Sequence, residues 1–235
     1  MPIYTIADVT VEMEPIHERV IKNAEPYLSD AATAQINIKT SADDIRSIAE
    51  HNGLDDLEIC EYLLLGQRFC RYLLEYDGMQ LHSSAVVVDG RAYLFSADSG
   101  TGKSTHTSLW KQIFGERAQI INDDKPAIRL IDGVFYAYGT PFCGKDDINI
   151  NARAPIAGIC FIERGEVNEI HRIGVEETLP LIMKQIYLPR KSENMDKLLS
   201  LIEKICLLVP TYKLKGNMSV DAAKTSYCAM SGEQI

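Results

Sequence analysis

The pattern of apolar and polar residues along the chain switches between two periods. Residues 35–39 alternate with period two, as a half-buried strand does, and residues 1–13 alternate more weakly as an edge strand or hairpin arm. The longest helical spacing runs over 55–76, where the apolar face is broad and predicts packing on two sides. Residues 157–162 are almost wholly apolar and predict a central strand. The pattern therefore predicts an α/β protein.

Two Asp-Gly dipeptides predict tight hairpin turns. Asp89-Gly90 follows a β-rich run over 81–88, and Asp132-Gly133 separates two further strand-like segments. The strand after the first turn, at 92–95, leads directly into a glycine-rich segment. We therefore expect this glycine-rich loop to follow a β-hairpin, whereas most phosphate loops follow a parallel crossover.

The remaining pattern predicts two units of unequal size. Residues 1–77 combine strand and helix signals, including a helix that starts at Ser41 and ends at Gly53, and predict a small N-terminal α/β lobe. Residues 78–235 predict a larger core with C-terminal helices. Within this core, we expect the segment 167–171 to pair back on the strand at 157–162, and the helices to span 176–187, 193–208 and the residues after Ser219.

Composition excludes several classes of function. A hydrophobic fraction of 46% and a charged fraction of 24% are those of an ordinary globular protein. A net charge of -9 argues against a surface that binds nucleic acid. No apolar run approaches the roughly 20 residues that span a bilayer, and no secretory signal is visible. Because the six cysteines form no CxxC pair, we expect reduced thiols and a cytoplasmic protein without membrane partners.

The strongest chemical signal is the glycine-rich segment Ser96-Ala97-Asp98-Ser99-Gly100-Thr101-Gly102-Lys103-Ser104-Thr105. It matches the phosphate-loop pattern GxxxxGK[ST] at every position except the first, where Ala97 stands. Gly100 and Gly102 allow positive φ angles, so that successive amide groups can surround a phosphate. Lys103 supplies a full positive charge, and the Ser104 hydroxyl suits a magnesium ion. The alternative is a glycine-rich turn that binds nothing.

Four further residues are candidates for the same site. Asp123 and Asp124 follow a short strand about twenty residues beyond the lysine, where phosphoryl transfer needs a metal ligand or a base, and the alternative is a capped turn. His82 lies in a strand, where a histidine is more often structural. Lys145, between glycine and two aspartates, could approach a phosphate or an anionic substrate, or be a solvated loop lysine.

These motifs, taken in order, resemble a known core. The set consists of Leu81-His82-Ser83-Ser84-Ala85, Tyr93-Leu94-Phe95, the glycine-rich loop and Asn122-Asp123-Asp124. It resembles the core shared by HPr kinase/phosphorylase and ATP-dependent phosphoenolpyruvate carboxykinase, over about residues 79–130. The resemblance implies a phosphoenolpyruvate carboxykinase-like core with a mixed, largely antiparallel sheet. It also implies ATP and Mg²⁺ as cofactors and makes a homo-oligomer reasonable.

The resemblance also implies roles for individual residues. Ser104 and Asp123 would hold magnesium, while His82 and the aspartate pair would face the transferred phosphoryl group. Either Asp123 or Asp124 would take the proton of the acceptor. The phosphates of ATP would be bound by the loop and, as a further candidate, by Lys145: Ser99, Gly100, Thr101, Gly102, Lys103, Ser104, Thr105 and Lys145.

The sequence departs from the two families in ways that bear on function. Both families have glycine where Ala97 stands, and residues 1–77 do not resemble the regulatory domain of HPr kinase. The substrate is therefore not inherited from the resemblance. We predict an ATP- and Mg²⁺-dependent kinase that phosphorylates a hydroxyl, foremost a serine of a protein or peptide. A small-molecule kinase and a non-catalytic ATP-sensing module are the alternatives.

Overall fold

The computed structural model describes all residues, 1–235. The N-terminal part contains three strands, which form a sheet of their own in the order β1-β2-β3, and three helices. The strands are β1 (Ile3–Ile6), β2 (Val9–Met13) and β3 (Ile36–Ile38), and the helices are α1 (Glu18–Ala24), α2 (Ala42–Asn52) and α3 (Leu57–Leu73).

The rest of the chain contributes nine strands and four helices. The strands are β4 (Gly78–Gln80), β5 (Ser83–Val88), β6 (Arg91–Ser96), β7 (Ala118–Asn122), β8 (Ala127–Ile131), β9 (Val134–Tyr138), β10 (Arg153–Arg164), β11 (Glu169–Arg172) and β12 (Thr211–Gly216). The helices are α4 (Lys103–Phe114), α5 (Val175–Lys184), α6 (Ser192–Leu208) and α7 (Val220–Ser231). Short 3₁₀ turns lie at Glu25–Tyr27, Leu74–Tyr76 and Gly115–Arg117.

Local sequence signals set several of these boundaries. The Ser41 side chain accepts a hydrogen bond from the Asp44 amide, and the Asp44 side chain accepts one from the Ser41 amide, so that α2 begins with a capping box. Gly53 ends the same helix in the left-handed conformation, with φ 62°. Ser219 caps α7 by accepting a hydrogen bond from the Ala222 amide. The predicted ends of these helices are therefore correct.

The large sheet is mixed and mostly antiparallel, as predicted. Its strands follow the order β4-β8-β9-β10-β6-β5-β7, and β12 and β11 extend it beside β10. Only the pairs β10 with β6 and β10 with β12 are parallel. Both Asp-Gly turns join antiparallel neighbours, β5 to β6 and β8 to β9. The glycine-rich loop therefore follows a hairpin, as the sequence indicates.

One predicted pairing is wrong. We expected the segment 167–171 to pair back on the strand that contains 157–162, but β11 pairs with β12. The parallel strand β12 occupies the edge of β10 over Ile159 to Arg164, and β6 occupies the other edge. Because both edges of β10 are already hydrogen-bonded, β11 is left to pair with the outer edge of β12.

Helices cover both faces of the sheet and enclose two apolar cores. Along β6, Leu94 faces a core shared with α5 and α6, whereas Tyr93 and Phe95 face a core shared with α4 and α7. This alternation is the period of two that a strand imposes on its side chains. The two cores hold β5, β6 and β10 rigidly, and the glycine-rich loop leaves the sheet at the end of β6.

The N-terminal strands and helices pack on the larger sheet through a third core. Phe69 and Leu73 of α3 contact a cluster that also contains Tyr138 and Phe142. The rings of Phe69 and Phe142 lie 5.6 Å apart. This packing brings one face of α3 close to the residues that follow β7. No helix has both the length and the apolar character needed to cross a membrane.

Candidate active site

The glycine-rich loop connects β6 to α4 and has the backbone of an anion-binding turn. Gly100 and Gly102 have φ angles of 76° and 118°, which are unfavourable for residues with a Cβ. A Cβ on Gly102 would meet only the flexible end of the Met218 side chain, so the φ angle and not the space requires glycine there. Gly102 precedes α4 and offers no side chain to cap it, which leaves the first amide groups of the helix free for a ligand.

A single arginine fastens the tip of this loop. The Arg164 guanidinium donates to the Gly100 carbonyl oxygen at 2.7 Å and to the Thr101 carbonyl oxygen at 3.4 Å. By contrast, Ser99 and Thr105 are exposed, and their side chains form no hydrogen bond.

Ala97, which replaces the first glycine of the phosphate-loop pattern, fits the loop without strain. It is buried, and its φ is not positive, so the conformational freedom of glycine is not needed here. Its carbonyl oxygen accepts a hydrogen bond from the Lys103 Nζ at 2.8 Å. Burial lowers the pKa of Lys103, and the charges of Asp124, Asp123 and Asp98 oppose that change. The ammonium group is thus held inside the loop by a neutral acceptor that a phosphate could replace.

Asp123 lies at the β7 end beside Ser84 and Ser104, and one of its two carboxylate oxygens lacks a partner. Only 8% of its surface is exposed, and its Oδ1 atom forms no hydrogen bond. Burial raises the pKa of Asp123, and hydrogen bonding with the hydroxyl groups of Ser84 and Ser104 opposes this rise. A buried carboxylate with an unused oxygen, beside the Ser104 hydroxyl, fits Mg²⁺, which takes oxygen ligands and is often held by one or two carboxylates plus phosphates and water.

The next residue, Asp124, has one of its two carboxylate oxygens held by hydrogen bonds. Its Oδ2 accepts hydrogen bonds from the Tyr62 hydroxyl and from the Lys125 Nζ, the latter at 3.0 Å. The Tyr62 hydroxyl in turn accepts from the Gly144 amide at 3.2 Å. Burial acts to raise the pKa of Asp124, but the charge of Lys125 and the hydrogen bonds from Tyr62 and Lys125 outweigh it and leave the pKa below its ordinary value. Asp124 is therefore held as a carboxylate in a fixed position.

His82 connects Asp124 to the glycine-rich loop through one glutamine. The Gln185 Nε2 donates to the Asp98 Oδ1 at 2.9 Å, so its Oε1 is the atom that faces the His82 Nδ1, also at 2.9 Å. This hydrogen-bond pattern assigns the imidazole proton to Nδ1. The unprotonated Nε2 then lies 3.3 Å from the Asp124 Oδ1. Burial and the charge of Lys103 lower the pKa of His82, which favours the same neutral imidazole.

The His82 Nε2 and the Asp124 Oδ1 are consequently two hydrogen-bond acceptors that converge on one point. Two acceptors this close repel each other unless a proton lies between them or a donor is shared. A hydroxyl group is such a donor, and either acceptor atom could take its proton. The arrangement is suited to the binding and deprotonation of a hydroxyl.

A buried asparagine fixes the turn that presents the two aspartates. The Asn122 Oδ1 accepts from the amides of Asp124 and Lys125, at 3.0 and 2.7 Å. Its Nδ2 donates to the carbonyl oxygens of Thr140 and Phe142, at 2.9 and 3.2 Å. Because Asn122 uses both ends of its amide, it ties the turn that carries Asp123 and Asp124 to the segment 140–142.

The structure brings most of the predicted residues together but separates Lys145 from them. Lys145 is exposed, and its side chain forms no hydrogen bond or ion pair. Its neighbour Gly144 reaches the site, where a Cβ would lie 2.9 Å from the Asp124 Cβ. The contact of Lys145 with a phosphate stays a prediction.

Sequence reasoning missed three residues of this site: Tyr62, Lys125 and Gln185. The Tyr62 ring contacts Phe142 edge-on, as a core residue would, but its hydroxyl binds Asp124. Gln185 carries no motif and lies 103 residues from its partner His82. Lys125 follows the aspartate pair directly, and this adjacency was the one signal that could have indicated it.

Comparisons with known proteins add little to this geometry. No protein-family model matches the chain. No curated protein matches it either. Among solved structures, the chain is similar to the Hpr(Ser) kinase/phosphatase from Coxiella burnetii, at 10% identity and a TM-score of 0.32, covering 58% of this chain and 84% of that one. Because both values are low, function has to be argued from the residues of this chain.

Proposed function

We propose that this protein is an ATP- and Mg²⁺-dependent kinase that transfers the γ-phosphoryl group to a hydroxyl, specifically to a serine of a protein or peptide. One observation supports the proposal. The glycine-rich loop, which is suited to an anion, and the acceptor pair of His82 and Asp124, which is suited to a hydroxyl, both lie at the end of β7. Phosphoryl transfer requires both, because the donor phosphate and the acceptor oxygen must be held in line.

In this proposal Asp123 and Asp124 have different chemical roles. Asp123, with its free Oδ1 and its neighbour Ser104, would hold Mg²⁺ on the loop side. The metal, when bound, neutralises charge on the phosphate oxygens. Asp124 and His82 would receive the acceptor hydroxyl, since their free acceptor atoms are 3.3 Å apart. This assignment answers a question that the sequence left open.

The chemical step needs one base and one set of positive charges. A bond forms between the acceptor oxygen and the γ-phosphorus, and the bond from that phosphorus to the β,γ-bridging oxygen breaks. The hydroxyl proton passes to the Asp124 carboxylate or the His82 Nε2, and the leaving diphosphate keeps the electron pair. Lys103 and the free amides of the loop stabilise the negative charge on the phosphates.

The test is a transfer assay with γ-labelled ATP, Mg²⁺ and a library of serine-containing peptides. We expect wild type to label peptides and expect Asp124→Asn and Lys103→Ala to do so at least about 100-fold more slowly. Lys111→Ala is the matched control, because Lys111 is an exposed lysine near the other end of the same helix. If both site variants transferred phosphate as fast as wild type, the proposal would be wrong.

A further inference from the structure

A cavity of about 490 Å³ opens beside His82 and Asp124, on the side away from the glycine-rich loop. None of residues 97–105 lines it. Its walls come from the ends of α2 and α5, from one face of α3 and from β4, so that both parts of the chain contribute. The volume is that of an ordinary ligand site. The cavity, which we call the acceptor cleft, therefore lies where a molecule could present a hydroxyl to the two acceptor atoms.

The acceptor cleft is positively charged within an acidic protein. The whole chain carries a net charge of -9, yet the charged residues of the cleft are two lysines, Lys125 and Lys184, and one carboxylate, Asp124. Lys125 is held in place by Asp124 and lies 4.6 Å from the centre of the Tyr62 ring. Lys184 is exposed at the end of α5 and forms no ion pair or hydrogen bond. This ammonium group is free to bind an anionic substrate group.

The other walls of the cleft combine apolar surface with side-chain amides. Leu63, Leu64, Ile186 and Tyr187 provide the apolar part. Side-chain amides from separate elements surround it: Asn52, Gln67, Gln80 and Gln185. Gln185 is already bonded to His82 and Asp98, whereas the exposed Gln67 forms no hydrogen bond and can both donate to and accept from the backbone of an extended peptide.

We propose that the acceptor cleft binds an extended peptide segment in which an acidic residue lies close to the phosphorylated serine. The serine hydroxyl lies at His82 and Asp124, and the acidic side chain binds Lys184. The role of the segment as phosphoryl acceptor rests on the proposed kinase function. Its binding in the cleft can be measured without any transfer.

The test is fluorescence anisotropy with two labelled peptides that differ only beside a central serine, Asp-Ser-Asp in one and Lys-Ser-Lys in the other. Binding is measured with Mg²⁺ and a non-hydrolysable ATP analogue present. We expect wild type to bind the acidic peptide about tenfold more tightly, and Lys184→Glu to abolish or reverse this preference. Lys204→Glu makes the same charge change in a separate groove on α6 and should leave the preference intact.

Each outcome bears on the proposal separately from the kinase assignment. Equal binding of the two peptides, no binding of either, or an unchanged preference in Lys184→Glu would overturn it, and no binding of either would favour a small-molecule acceptor. Preferential acidic binding that depends on Lys184 would support the cleft even if no phosphate were transferred. In that case the kinase function would be the claim that fails.

Discussion

The two sides of the β7 end have opposite states of hydrogen bonding. On the loop side, Asp123 is buried with an unused oxygen, and Lys103 bonds only to a backbone carbonyl. On the cleft side, Asp124 is bonded to Tyr62 and Lys125 and faces His82. Asp123 and Lys103, next to the glycine-rich loop, thus lack the oppositely charged partners that a ligand would supply. Asp124, next to the acceptor cleft, already has its hydrogen-bond partners. Asp123 and Asp124 both follow the end of β7, and the turn fixed by Asn122 gives these neighbouring residues different partners.

The difference in hydrogen bonding between Asp123 and Asp124 also affects the stability of the folded protein. A buried polar group without a partner costs about 1–3 kcal/mol. Asp123 carries such a cost in the absence of a ligand, and ligand binding would relieve it. Asp124 carries no comparable cost, because its partners hold its charged form. The comparison is therefore open to test by substitution of either aspartate with the uncharged asparagine.

The largest expected effect is that of Asp124→Asn on phosphoryl transfer. Loss of a general base lowers the rate constant for transfer by about 10²–10⁴-fold. We expect the affinity for ATP to fall much less than the rate, because Asp124 is hydrogen-bonded to Tyr62 and Lys125 and not to the glycine-rich loop. Steady-state kinetics together with calorimetric ATP titration measures both quantities. A loss of ATP affinity as large as the loss of rate would contradict the assignment of Asp124 to the acceptor hydroxyl.

The next effect is a gain of stability in Asp123→Asn. The folded-state pKa of Asp123 is above its unfolded value of 3.8, so its ionisation costs folding free energy at every pH above the folded-state pKa. We expect the variant to be more stable than wild type by about 1–3 kcal/mol near neutral pH without Mg²⁺. The difference should shrink as the pH falls through the folded-state pKa of Asp123. Urea unfolding at a series of pH values provides the measurement.

Asp124→Asn is the control for that experiment, with the opposite sign. The folded-state pKa of Asp124 is below 3.8, so its carboxylate contributes stability above the unfolded pKa and loses that contribution as the pH falls through the folded one. We expect this variant to be less stable than wild type near neutral pH. Two aspartate variants that shifted stability in the same direction would contradict the comparison.

A smaller effect is expected for Tyr62→Phe. The substitution removes a donor to Asp124 and an acceptor for the Gly144 amide, and we expect a loss of about 1–2 kcal/mol in stability. Because this hydrogen bond lowers the pKa of Asp124, the acid limb of the pH profile for transfer should move to higher pH. Tyr72→Phe is the matched control, since Tyr72 is a partly exposed tyrosine on the same helix. If the acid limb of the pH profile stayed at the same pH, Tyr62 would not be a positioning residue for Asp124.

The smallest effect is expected for Arg164→Ala. Its guanidinium holds the carbonyls of Gly100 and Thr101, but it is exposed, so its hydrogen bonds contribute about 0.5–1 kcal/mol. We expect ATP affinity to fall by about two- to fivefold, with peptide binding in the cleft unchanged. Calorimetry with Arg172→Ala, an exposed arginine at the end of β11, provides the comparison. Equal ATP affinity in all three proteins would show that the loop needs no such support.

Local signals in the sequence predicted much of the fold and one half of the site. The Asp-Gly turns, the capping residue Ser41 and the glycine-rich loop each depend on a few adjacent residues. Their geometry follows from backbone preferences, which a sequence displays directly. The hairpin before the loop and the mostly antiparallel sheet could be predicted for this reason.

The cleft side of the site could not be predicted in the same way. Tyr62 and Gln185 reach Asp124 and His82 across 62 and 103 residues, and their positions depend on how α3 and the end of α5 pack. The pairing of β11 failed for the same reason, because it depended on which edges of β10 were occupied. Side chains such as tyrosine and glutamine carry no local pattern that marks a long-range partner.

The central claim is tested most directly by the Mg²⁺ dependence of ATP affinity in three proteins: wild type, Asp123→Asn and Asp124→Asn. Calorimetry with and without Mg²⁺ should show tighter ATP binding with the metal in wild type and in Asp124→Asn. In Asp123→Asn we expect this enhancement to be lost. An enhancement that survives in Asp123→Asn, or that Asp124→Asn loses instead, would contradict the assignment of the two aspartates to opposite sides of the site.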